Sequence, residues 1–98
     1  DMAAPMGSPI YACKSAVVKS AVAMDPVYGN YIILDHSSGM TSLYAHMSEM
    51  LVKKGDSVKA GQTIGKVGTT GMSTGPHLHF EIRLNGEAQD PQKYLQNL

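Results

Sequence analysis

From residue 77 to residue 84 the chain reads His, Leu, His, Phe, Glu, Ile, Arg, Leu, an unbroken alternation of polar and apolar side chains. Successive side chains on a strand point to opposite faces, so Leu78, Phe80, Ile82 and Leu84 share one face and His77, His79, Glu81 and Arg83 the other. The first set predicts a core stripe. β-Branched and alternating stretches punctuated by Gly and Pro predict further strands at 9–12, 15–22, 30–36, 41–46 and 63–67. Ser37, Ser38 and Gly39 suit a hairpin loop, and Asn85 followed by Gly86 is the strongest short-range hairpin signal, so both imply antiparallel pairing. Between residues 52 and 71, recurrent Val, Ile and Gly predict short strands linked by tight glycine turns. The one helical signal is at the end: Asp90 as N-cap and Pro91 at the first helical position, opening a short turn that carries Tyr94 and Leu95. The expected architecture is all-β, a compact antiparallel β-sandwich closed by a short C-terminal helix or turn.

Composition narrows the function classes. A chain of 98 residues supports one small domain, burying about 60–65% of the surface its unfolded form exposes. Eight basic side chains balance eight acidic ones. That balance removes the basic footprint that a nucleic-acid backbone requires. No apolar run approaches the ~18–20 residues of a membrane span. The lone Cys13 excludes an internal disulfide and reads as a small buried filler.

The polar face of 77–84 holds the chemistry. An i, i+2 spacing puts the Cα atoms of His77 and His79 about 7 Å apart with both rings on one side, a separation suited to a metal site. Glu81, next on that face, can accept an N–H from His79 or pair with Arg83 and so orient the imidazole. His46, at the expected end of a strand, is placed to meet a site, and Asp1 supplies a carboxylate. Three imidazoles and a carboxylate are the components of a catalytic zinc site, whose metal activates water and polarises a carbonyl. Spacing alone leaves open which of His77 and His79 holds metal. Tyr44, on the face expected for His46, is a candidate to line a cleft, the alternative being a packed aromatic with a hydrogen-bonded hydroxyl. Parity places His36 on the face opposite Tyr44 and His46 if residues 37–40 form the loop, so His36 reads as structural. No P-loop, Gly-x-Ser-x-Gly elbow or dinucleotide fingerprint competes.

These motifs stand in a familiar order. DMAAPMGSPIYA at 1–12, YAH at 44–46, GQTIG at 61–65, GMSTGPHLHFE at 71–81 and the terminal Asp90, Pro91, Tyr94 and Leu95 resemble the lysostaphin-type zinc endopeptidases, the M23 or LytM domains. The resemblance runs over essentially the whole chain. It implies a duplicated-hybrid-type β fold with a substrate groove, and cleavage of a peptide or cross-bridge in bacterial cell-wall peptidoglycan. It further implies Zn2+ held by Asp1 and His79, with His46 and His77 as the catalytic pair. A secreted or envelope location, in a bacterium or from a phage, follows from the same likeness, and a monomer is the expectation. The family's third zinc ligand is a His four positions before the Asp, and the chain begins at Asp1. The expectation is therefore a single domain over 1–98, incomplete at its N-terminus. A non-catalytic wall-binding or hydrolase-regulating relative is the alternative. The segment 55–65 also resembles lipoyl- or biotin-carrier modules, in which a modified lysine, here Lys66, would stand at a hairpin tip.

Overall fold

The computed structural model describes residues 2–71, 75 and 77–89. Among the described residues nine strands run in chain order: β1 (Met2–Ala3), β2 (Pro9–Tyr11), β3 (Ala16–Asp25), β4 (Gly29–Asp35), β5 (Met40–Met50), β6 (Ser57–Val58), β7 (Thr63–Val67), β8 (His77–Leu84) and β9 (Glu87–Gln89). All pairings are antiparallel, in the order β1-β8-β5-β4-β3-β6, with β9 beside β8 and β2 beside β7. No helix occurs among the described residues, and none is long and apolar enough to cross a membrane. The all-β architecture is the one expected; the C-terminal turn at 90–95 lies outside the described residues.

The long strand β5 organises the molecule. One of its edges pairs with β4. On its other edge residues 40–45 pair with β8, from Met40 opposite Leu84 to Ala45 opposite His79. From Met47 onward that edge pairs with β7 instead. The sheet therefore forks at His46, and β7 with β2 folds over one face of the main sheet. The core lies between the layers: Val18, Ile32, Leu34, Tyr44, Phe80 and Ile82 from the main sheet against Ile10, Ile64 and Val67. Phe80 and Ile82 are half of the apolar stripe expected from the alternation at 77–84, and burying such side chains is worth about 1.5–3 kcal/mol each.

Two hairpins show where turn chemistry was and was not legible. Asn85 and Gly86 take φ of 52° and 87°, the two left-handed residues of a type I′ turn. The other hairpin is one residue shorter than expected. The His36 N–H donates to Met40 O, and Asp35, not His36, lies opposite Thr41. A one-residue slip moves every side chain to the other face. His36 thus shares the face of Ser42 and Tyr44, correcting the expected parity. Its structural role holds: Nδ1 donates to Ser15 O at 3.0 Å, and Nε2 meets Ser42 Oγ at 2.7 Å and Cys13 Sγ at 3.8 Å.

Lys66 sits inside β7, opposite Pro9 on one side and Glu49 on the other. A strand interior is not a hairpin tip, so the carrier-module resemblance fails at the residue it needs.

Candidate active site

His46 was expected at the end of a strand, on the face of Tyr44. It lies instead in mid-strand, 6% exposed, with a left-handed φ of 61°. That conformation is uncommon for a non-glycine residue and is found where surrounding contacts over-determine it. Here the register between β4 and β5 shifts: Ile32 opposes Tyr44, but Asn30, two residues back, opposes Met47, leaving an extra residue on β5. Such a bulge re-aims a side chain. The imidazole crosses to the face of His79, their ring centroids 6.0 Å apart at 70°.

Tyr44 stays behind. It is 1% exposed, tilted against Phe80 at 5.1 Å, and its hydroxyl accepts the Cys13 N–H at 3.1 Å and meets Ser42 Oγ at 2.9 Å. The packed-aromatic alternative describes it; the cleft-lining contact does not, because alternation up to Ala45 fixes Tyr44 on the core face.

The surroundings of His46 are built by two loop segments far apart in sequence. Its backbone N–H donates to Tyr28 O at 2.8 Å, and its Nδ1 lies 2.6 Å from Thr70 O. A carbonyl only accepts, so Nδ1 carries the proton and the neutral ring keeps its lone pair on Nε2. Thr70 is held in turn: its Oγ1 donates to Met47 O at 2.7 Å and accepts the Asn30 N–H at 3.0 Å. Backbones here touch. A Cβ on Gly29 would stand 2.3 Å from the Thr70 carbonyl carbon, and one on Gly71 would stand 2.3 Å from the Gly29 nitrogen. Only glycine permits this approach. Asp25 starts the first segment by accepting the N–H groups of Val27 and Tyr28 on Oδ2, at 3.0 and 2.8 Å.

His79 is oriented from three sides. The Tyr28 ring stacks on it at 5.9 Å and 28°, His46 stands edge-on, and Glu81 Oε1 lies 3.5 Å from its Nε2. Arg83 Nη2 donates to the other oxygen of Glu81 at 2.8 Å. Glu81 thus pairs with Arg83 as expected and stands beside the His79 ring. The Glu81 hydrogen bond raises the Arg83 pKa above its usual value, with a smaller contribution from Tyr28.

Glu81 beside Nε2 favours the tautomer protonated there, leaving Nδ1 as the lone-pair nitrogen suited to a metal. His77 lies opposite Ala3, and Met2 opposite Leu78, so β1 runs alongside the His-x-His segment. The His77 side chain and Asp1 lie outside the described part of the structure. No group of three His, Cys, Asp or Glu side chains able to hold a metal occurs among the described residues. The described donor chemistry fits zinc at His79, whose Nε2 faces Glu81, while His46 stands beside it with Nδ1 engaged by Thr70 O. Sequence reasoning missed Tyr28 and Thr70; the signals beside them are the Asp25-Pro26 pair before one and Gly71 after the other.

Comparison with known proteins bears on the family and the fold. The family model for peptidase family M23 matches residues 1–91. The chain is 44% identical over 92 residues to the peptidoglycan DD-endopeptidase ShyC of Vibrio cholerae, covering 94% of this chain and 21% of that protein. It thus spans about a fifth of the length of the curated relatives it matches. The catalytic domain of lysostaphin from Staphylococcus simulans superposes with a TM-score of 0.89 at 40% identity, covering 96% of this chain and 74% of that one. A zinc-containing peptidase from Vibrio cholerae superposes with a TM-score of 0.86 at 40% identity, covering 89% of this chain and 26% of that one. The forked all-β sheet, the His-x-His strand and a match over nearly the whole sequence together establish that the chain belongs to peptidase family M23.

Proposed function

We propose that this domain hydrolyses a peptide bond in bacterial cell-wall peptidoglycan, with zinc held by Asp1 and His79 and with His46 and His77 as the acid–base and oxyanion pair. The reading extends to this chain what ShyC and lysostaphin are named for, and it places the domain's work at the cell envelope or outside the cell. The observation that carries it is the bulge at His46. A buried histidine is turned out of the core alternation, at the cost of a left-handed backbone, to stand against the ring of His79.

When bound, zinc would supply Lewis acidity toward the scissile carbonyl and shift the pKa of a water toward neutrality. The chain's own residues do the rest. With its Nδ1–H donating a hydrogen bond to Thr70 O, His46 presents Nε2 as the base for a water proton. Once protonated, the same ring becomes a donor for the leaving amine or a developing oxyanion. Glu81 and Arg83 hold His79 in one tautomer, and Tyr28 covers one face of its ring. Asp1 directly precedes Met2, which lies opposite Leu78, the residue before His79; this supports a ligand role for the Asp1 carboxylate.

Digestion of purified peptidoglycan by the full-length protein tests the proposal. New amino termini in the products, lost on chelation and restored by one equivalent of zinc, are the expected result. Binding to intact peptidoglycan with no new termini under any metal would favour the non-catalytic alternative and overturn the endopeptidase reading.

A further inference from the structure

The face that carries His79 continues past the site. Along β8 the next residues on it are Glu81 and Arg83, and beyond them the sheet holds a cavity of about 450 Å³. Its floor is apolar, formed by Ile33 and Leu43. Its walls carry charge: Lys19 and Asp35 on one side, Arg83 on the other. The size suits one or two amino-acid residues, within the usual range for ligand pockets.

The charges are arranged unusually. Arg83 is engaged by Glu81. Lys19 and Asp35 line the same cavity yet form no ion pair with each other or with any other described residue. Their positions are set by the sheet. Val17 lies opposite Asp35, and a register shift between Val18 and Ser20 leaves Lys19 as the extra residue of a bulge in β3. The Asp35 carboxylate is steadied by accepting the Ser37 N–H on Oδ1 at 2.9 Å. One carboxylate and one ammonium, held apart over an apolar floor, complement a ligand that carries the opposite pair on a short stem.

The rim is rigid. The tips of the two hairpins dock on each other: the Asn85 N–H donates to Gly39 O at 2.8 Å, and a Cβ on Gly39 would fall 2.0 Å from Asn85 Oδ1. Ser37 and Ser38 both hold left-handed backbones beside it. Residues kept in such conformations cluster at ligand clamps.

We infer that this cavity is a subsite for a zwitterionic amino-acid end group, an ammonium and a carboxylate on one carbon, carried on a branch of the substrate. The ammonium meets Asp35, the carboxylate meets Lys19, and the stem lies on Ile33 and Leu43. Four steps along β8 lead from His79 to Arg83, about 13 Å, and Asp35 lies two strands across from Arg83 through Thr41, about 10 Å more to the side, so the end group sits roughly 16 Å from His79, about five extended residues. The inference rests on the peptidoglycan reading, since branched wall peptides with diamino-acid side chains present such ends.

Titration of the full-length protein with free diaminopimelate, followed by amide chemical shifts, tests it apart from activity. Shifts confined to Ser38, Thr41, Leu43 and their neighbours are expected, abolished by N-acetylation or amidation of the probe. The exposed residues allow mild variants: Lys19→Met and Asp35→Asn each weaken binding about tenfold or more. In peptidoglycan digestion the same variants raise KM with kcat unchanged. Equal binding of the capped probe, unchanged affinity in both variants, or a glycan oligomer shifting the same amides would overturn the subsite. Cleavage without this binding overturns the subsite alone, and binding without cleavage overturns the endopeptidase reading alone.

Discussion

The Nδ1 of His46 lies 2.6 Å from the carbonyl oxygen of Thr70, a contact across 24 residues of sequence that fixes both the orientation and the tautomer of the ring. Everything proposed for His46 depends on where that carbonyl stands, and the carbonyl stands where Gly29 and Gly71 let two backbones touch.

Gly29→Ala is therefore expected to act on catalysis as well as stability. The added methyl meets Thr70 backbone atoms at 2.3–2.5 Å, which cannot swing aside as a side chain tip would. A loss of roughly 1–3 kcal/mol in unfolding free energy is expected, together with a fall in wall digestion. Gly55→Ala is the control: Gly55 is also left-handed but has nothing within 4 Å, so only backbone strain of about 1 kcal/mol follows, with activity unchanged. Denaturant unfolding and a digestion assay on both variants check this.

Tyr44→Phe separates a core residue from a substrate contact. Removing the hydroxyl takes a partner from the buried Ser42 Oγ and from the Cys13 N–H. A loss of about 1–2 kcal/mol is expected, with KM for peptidoglycan unchanged. A raised KM at unaltered stability would return Tyr44 to the cleft.

The cluster of Cys13, His36 and Ser42 gives the fold a pH signature. Desolvation works against the charged His36 ring, but its bonds to Cys13 and to Ser15 O outweigh this and raise the pKa above the usual histidine value. A raised folded pKa means stabilisation present in full below about pH 6.5 and lost as the pH climbs through the folded value. Urea midpoints of the wild type and His36→Asn should differ most near pH 6 and converge above the folded pKa.

The same contacts act on the thiol in the opposite direction. Desolvation raises the Cys13 pKa, and hydrogen bonds from His36, Tyr44 and Ser42 with the His36 charge reverse it to a net lowering. Iodoacetamide should alkylate Cys13 faster in the wild type than in His36→Asn at pH 7, with the rates converging at high pH.

Much of this was legible in the sequence, and the main failures share one cause. The alternation at 77–84 gave the core face and the site face of β8, and Asn85 with Gly86 formed the turn their residue types demand. Glu81 paired with Arg83, one of the two roles its position allowed. What could not be read was register. A loop one residue shorter turned His36 to the other face, and one extra residue in β5 turned His46 away from Tyr44. Side-chain parity is a local rule, whereas bulges answer to long-range packing, here the fork at which β5 leaves β8 for β7. Thr70 and Tyr28 were hidden for a second reason: each offers His46 a backbone carbonyl, a group that every residue has, and the Tyr28 ring reaches His79 only through the fold. The short strands β1, β6 and β9 carry too few residues to show a period.

The division of labour between the histidines is the central claim, and zinc content measured beside wall cleavage tests it most directly. In the full-length protein, His79→Ala should lose both zinc and cleavage. His46→Ala and His77→Ala should keep the wild-type zinc stoichiometry and lose cleavage by at least about a hundredfold, as expected for a general acid–base group. Zinc lost equally from His46→Ala and His79→Ala, or cleavage retained in His46→Ala, would contradict the account.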